Sequence, residues 1–118
     1  MMKIIPIILC FLSVSSFAQT EIKIDDVKNH VDDSVKVCTK IFGGKFLESN
    51  SLTLLNAGAS YPNSPLTIVI RGDARKEFNN PEEYYKGTDV CITGKIVLYK
   101  DKPQIEITSK SQIVEQSQ

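Results

Sequence analysis

Three cysteines, one histidine and fourteen lysines and arginines are the residues of this chain with the most obvious chemistry. Two cysteines can form a disulfide or share a metal, a histidine can move a proton, and clustered cations can hold an anion. Cys10 sits in an apolar run, so Cys38 and Cys91 are the pair that matters. Zinc needs about four nitrogen or sulfur ligands, and two cysteines with no histidine nearby make a poor site. No metal or cofactor is expected. His30 follows a helical stretch without an obvious partner, which suits a surface or capping position. No serine–histidine–acid set, metal motif or phosphate loop is visible, and one histidine leaves little to assemble. The expectation is a non-catalytic protein.

What the cysteines do depends on where the chain goes. Met1, Met2 and Lys3 precede an apolar run from Ile4 to Leu12, and small residues follow at Ser16 and Ala18. A charged start, a short apolar centre and small residues before a cut form the pattern of a cleavable secretory signal. The run is too short to be a stable membrane span. A lipid anchor on Cys10 is the rival, but Phe11 to Val14 continue the apolar centre past it. The expected destination is the periplasm or the medium, where paired cysteines favour a disulfide.

Without its leader the chain carries thirteen basic and fourteen acidic residues, a net charge of −1. Binding by bulk positive charge, as in histone-like proteins, is thereby excluded. With 42% hydrophobic residues, an acidic disordered tail is excluded as well. The expected organisation is a signal over 1–18, a tether over 19–24, one domain over 25–114 and a tail over 115–118.

The elements that must position these residues read mostly as strands. Asp25 can cap a short helix through about Asn29. Ser34 to Phe42 alternates, with Val35, Val37, Thr39 and Ile41 on one face, and Gly43-Gly44 is expected to end it. Phe46 to Asn50 reads as a loop. Ser51–Ala57 and Leu66–Ile70 are the second and third strands. Asp73–Phe78 and Glu82–Tyr85 suit helical turns. Asp89–Tyr99 is the longest strand, and Lys100-Asp101 occupies a tight turn into a fifth strand over Gln104–Thr108. That register sets Ile96 opposite Ile105 and Gly94 opposite Ile107. Three strands, a helical turn and a two-strand hairpin, behind a short leading helix, follow the order of an all-β, five-stranded OB-fold barrel. Gly94 suits a sharp bend in such a barrel. A plain five-stranded antiparallel sheet is the alternative.

Particular segments add a resemblance. Thr53-Leu54-Leu55-Asn56-Ala57-Gly58, Tyr61-Pro62-Asn63, Leu66 to Ile70, Val90 to Ile96 and Tyr99 to Ile105 are similar to the small OB-fold module of exported bacterial proteins. The same module is appended to secreted nucleases of the thermonuclease type. The resemblance spans about Val31 to Ile113 and implies a fold more than an activity, since nuclease chemistry there belongs to another domain. This chain departs from the pattern at Leu54, where an aromatic is preferred, at Arg71, where tryptophan is, and at Asp101, in place of the turn glycine.

In an OB barrel the first and fourth strands are antiparallel neighbours. If Cys38 faces Cys91, then Val37 faces Ile92, Val35 faces Gly94, Thr39 faces Val90 and Lys40 opposes Asp89. One register therefore satisfies sulfur pairing, packing and charge. Two free thiols are the alternative.

The ligand surface of such a barrel is the outer face of its second and third strands with the flanking hairpin loops. Candidate ligand-binding residues are Lys36 and Lys40 on the first strand, Lys45 just after the glycine pair and Tyr61 in the segment after the second strand. Arg71, Arg75 and Lys76 lie after the third strand, and Tyr99, Lys100 and Lys102 lie at the last hairpin. The alternative is a set of solvated lysines that discourage edge-to-edge pairing. Arg71-Gly72-Asp73 is an incidental tripeptide, and Asn63-Ser64-Pro65 is no glycosylation site. Two functions follow. One is an exported binding protein for single-stranded nucleic acid or another anionic polymer. The other is an envelope interaction or structural module for a protein partner, a cation or an oligosaccharide, which the missing aromatics favour.

Overall fold

The computed structural model describes residues 19–116, so the expected leader and the last two residues of the expected tail lie outside the described residues. Strands dominate, in the order β1 (Thr20–Ile22), β2 (Ser34–Leu47), β3 (Leu52–Ala57), β4 (Leu66–Ile70), β5 (Asp89–Tyr99), β6 (Lys102–Ile107) and β7 (Ile113–Glu115). A 3-10 helix over Ile24–Asn29 precedes β2, and another over Lys110–Gln112 precedes β7. Two four-residue helices, α1 (Gly72–Arg75) and α2 (Pro81–Tyr84), stand between β4 and β5. Among the described residues no helix is long and apolar enough to cross a membrane.

Five strands pair in a ring. β2 runs antiparallel to β3, β3 to β4, β5 to β6 and β5 to β2, while β4 and β6 are parallel. This is an all-β, OB-like arrangement, enlarged to seven strands in one sheet. The first addition falls on the expected tether, and the second spans the end of the expected domain and the first residue of the expected tail. Thr20–Ile22 lies parallel to the start of β2, and Ile113–Glu115 lies antiparallel to the start of β5. The physical reason is apolar: Ile22 and Ile113 are buried at the two flanks of the β2–β5 pair. Burying one such side chain is worth about 1.5–3 kcal/mol, which together with the ladder hydrogen bonds offsets the entropy lost in ordering three residues.

The period-two alternation builds the interior. Val35, Val37 and Ile41 of β2, Leu55 and Ala57 of β3, Ile68 and Ile70 of β4, and Ile105 and Ile107 of β6 share one core, all fully buried. Asp25 does not cap the leading helix; Lys23 occupies that position with no side-chain bond. His30 does have a partner, its Nδ1 lying 3.1 Å from Asp33 Oδ2.

The first long strand does not stop at Gly43-Gly44. β2 continues through both glycines to Leu47, and the register shifts between Ile41 and Gly43, which leaves Phe42 as the extra residue of a bulge. Phe46 and Leu47 therefore pair with β3 where a loop was expected. Glycines that read locally as a turn here bend a strand from one partner to the next. Gly44 is required by close approach: a Cβ on it would run into the Leu54 carbonyl oxygen.

The last hairpin forms as its register requires. Tyr99 faces Lys102 and Ile96 faces Ile105, and Lys100 and Asp101 both adopt positive φ, 50° and 64°. Two-residue hairpin turns demand that conformation. The ladder ends at Ile96, however, and Gly94 pairs with Val35 of β2 and not with Ile107. β5 leaves β6 for β2 at this point, so the sheet turns its corner there. A Cβ on Gly94 would stand 2.6 Å from Ile105 Cγ2 and 3.3 Å from Gln112 Nε2. That amide is committed, since it donates to the carbonyls of Thr93 and Glu106. Gly94→Ala is therefore expected to cost about 1–3 kcal/mol by overpacking, read as a lowered urea midpoint with an unchanged slope.

Candidate functional site

β2 and β5 pair through Cys38 and Cys91, and a disulfide joins them with an S–S distance of 2.04 Å. Val37 faces Ile92, Val35 faces Gly94, Thr39 faces Val90 and Lys40 faces Asp89, as the expected register requires. Both cysteines are half-buried while Val37, Val90 and Ile92 beside them are fully buried, so the bridge lies on the outer side of the sheet.

The outer face of β3, β4 and β6 carries a different surface. Across it the register sets Asn56 beside Thr67 and Thr67 beside Gln104, a row of amide and hydroxyl groups spanning three strands. One step along, Lys45 opposes Leu54, and Leu54 opposes Val69. The β3–β4 loop folds over one end and brings Tyr61, Pro62 and Ser64 to the rim. Together these residues enclose a groove of about 420 Å³, closed at the β6 side by Lys102 and Gln104. Tyr61 is 72% exposed, and the Lys45 ammonium lies 5.9 Å from its ring centroid. No acidic side chain lines the groove among the described residues. The floor is neutral and rich in hydrogen-bonding groups, the rim carries two cations and one open ring.

Of the ten candidate ligand-binding residues, Lys45, Tyr61 and Lys102 line this groove. Tyr99 faces Lys102 across the hairpin, is 57% exposed, and has the Lys100 ammonium 5.5 Å from its ring centroid. Lys36 lies elsewhere, on the β2–β5 face, with its ammonium 3.7 Å from Glu21. Lys40 opposes Asp89 on that same face. Lys76 is exposed at the end of α1. Arg71 forms an ion pair with Glu106, which neutralises the acid that stands two positions beyond Gln104 on β6, next to the groove.

Arg75 is engaged in holding the fold. Its guanidinium donates to both oxygens of Glu82, at 2.7 and 3.2 Å, and to Thr53 Oγ1, and it lies 3.9 Å from the centroid of Phe46. Thr53 is fully buried, so this contact supplies the partner its hydroxyl needs. The Arg75 hydrogen bond holds the Glu82 carboxyl below the usual carboxylate range despite its burial.

Sequence reasoning did not single out Asn56, Thr67 or Gln104 as ligand contacts. The signal was present: they are the outward positions of three strands whose inward positions are apolar. What was missing was the lateral register that puts them in one row.

No protein-family model matches this chain, and no curated protein matches it. Among solved structures it is similar to a protein assigned as an aspartyl-tRNA synthetase from Leishmania major Friedlin. The likeness covers 89% of this chain at 12% identity with a TM-score of 0.54. The chain spans 22% of that protein, so the likeness is one of fold over a single region.

Proposed function

We propose that this chain is an exported, non-catalytic OB-fold protein whose groove holds single-stranded nucleic acid or another anionic polymer. The observation that carries the reading is the composition of the groove: Lys45 and Lys102 at the rim, Tyr61 open beside Lys45, and no acid in the lining. Single-strand binders combine cations that follow the backbone with rings on which bases stack. The strand pairing supports a closed OB barrel, whose second and third strands form the usual ligand face. The fold it shares with a protein named for a tRNA substrate agrees with the reading, as does the resemblance to small exported OB modules. An apolar leader and a disulfide support export.

A fluorescent oligothymidylate titrated at two salt concentrations tests this. Two phosphate contacts predict a slope of log affinity against log salt of about −1.4, and Lys45→Ala or Lys102→Ala should each reduce it by about 0.7. Tyr61→Ala should cost about 1–3 kcal/mol of affinity by loss of stacking. Absence of binding at low salt removes the proposal, because attraction between phosphate and ammonium must strengthen there.

A further inference from the structure

A second hollow, of about 550 Å³, opens between α2, the 3-10 turn at Lys110 and β7, and shares no lining residue with the groove. Its walls are aromatic. Phe78 and Tyr85 meet edge to face with centroids 6.1 Å apart, and Tyr84 packs edge-on to Tyr85 at 4.9 Å. Tyr85 is buried, whereas Tyr84 is 57% exposed, so the hollow has a covered base and an open side. Two opposite charges stand on its lining. The Lys110 ammonium lies 5.9 Å from the Phe78 centroid, and Glu115 sits on β7 beside the tyrosines. No ion pair joins Lys110 to Glu115 among the described residues. The Glu115 carboxylate raises the pKa of Tyr84, first by hydrogen bonding and then by its charge, which places that acid at the aromatic wall.

We propose that this hollow is a binding site for a free amino acid with a large apolar or aromatic side chain. The α-ammonium is recognised by Glu115, the α-carboxylate by Lys110, and the side chain by Phe78, Tyr84 and Tyr85. The argument is complementarity. A cavity of this size suits a small ligand, whose orientation is set by a few polar groups on apolar walls. A cation and an anion that stand on one apolar lining without pairing to each other match a zwitterion and give no net preference to a simple cation or anion. Lys110 already shows that an ammonium is accommodated against this aromatic wall. The site is independent of the groove and does not rest on polymer binding.

Calorimetry on the mature protein with L-phenylalanine, its methyl ester and its N-acetyl derivative provides the test. L-phenylalanine is expected to bind saturably at one site, with the ester and the N-acetyl compound each weaker by about two- to fivefold, the value of one modest ion pair. Lys110→Met should abolish discrimination against the ester, and Glu115→Gln discrimination against the N-acetyl compound. Both side chains are exposed, so the fold should persist, and unchanged urea midpoints would report that independently. The proposal is overturned if L-phenylalanine shows no saturable binding. It is equally overturned if all three compounds bind alike, which would describe an apolar hollow indifferent to charge.

Discussion

Replacing both Cys38 and Cys91 by serine is expected to destabilise the protein by about 2–4 kcal/mol, the usual range for a native bridge in a small domain. The bridge spans a sequence separation of 53, and the loop-entropy argument puts closure of such a loop at about 4 kcal/mol. It ties together β2 and β5, the two strands that each pair with three others. The site makes a clean probe. The sulfurs lie on the outer side of the sheet while Val37 and Ile92 fill the interior, so serine leaves no cavity in the core. For a domain of about 100 residues the loss corresponds to roughly 10–25 °C in Tm. Thermal and urea unfolding of the double variant measure it. A change below about 1 kcal/mol would mean that the β2–β5 pairing is held by packing alone, outside the usual range for such bridges.

Arg75→Met is expected to have a comparable effect, about 2–3 kcal/mol, through the acid it strands. Side-chain exposures are 19% for Arg75 and 15% for Glu82, so removal of the cation leaves a carboxylate with little water to replace it. Breaking a fully buried pair costs about 3–5 kcal/mol, and the residual exposure moderates that figure. Thr53, fully buried, loses its donor in the same substitution. The dependence on pH separates charge from packing. Glu82 titrates below its ordinary value of 4.5 in the folded protein, so the unfolded chain binds the proton more readily. Its contribution is complete above the unfolded value and is lost as pH falls through the lower, folded one. Wild-type stability should therefore decline below about pH 4.5. The gap between wild type and Arg75→Met should narrow over the same range, because the stranded carboxylate becomes neutral. Urea midpoints at pH 7 and pH 3 measure both slopes, and a gap independent of pH would assign the effect to the Phe46 contact instead.

Much of the architecture was legible before any coordinates. Alternation over Val35, Val37 and Ile41 and over Val90, Ile92 and Ile96 identified two strands, and the register that sets Cys38 opposite Cys91 also matched their apolar faces. Strand pairing is strongly specified when one face must be buried, since a slip of one residue turns every apolar side chain to water. Lys100-Asp101 was readable for a local reason, the positive φ of a two-residue turn. The glycine pair at Gly43-Gly44 misled for an equally local reason. Glycine permits both a turn and a bulge, and only the position of β3 decides between them.

The functional surfaces were set by contacts distant in the chain. A lysine or arginine looks the same in a sequence whether it is free or spoken for, and its partners lie far away: Arg71 meets Glu106, and Arg75 meets Thr53 and Glu82. Side-chain charge is a property of the residue, but the field it presents depends on what stands beside it. Thus the ring of strands withdrew both arginines, placed Lys36 and Lys40 on another face, and left Lys45, Tyr61 and Lys102 around one groove. The aromatic hollow exists only because α2 and β7 are neighbours in space. Amino-acid order determined the strands and the sulfur bridge, because those follow from periodicity and burial. Tertiary structure alone decided which charges remain available, because that depends on which acids folding brings within reach.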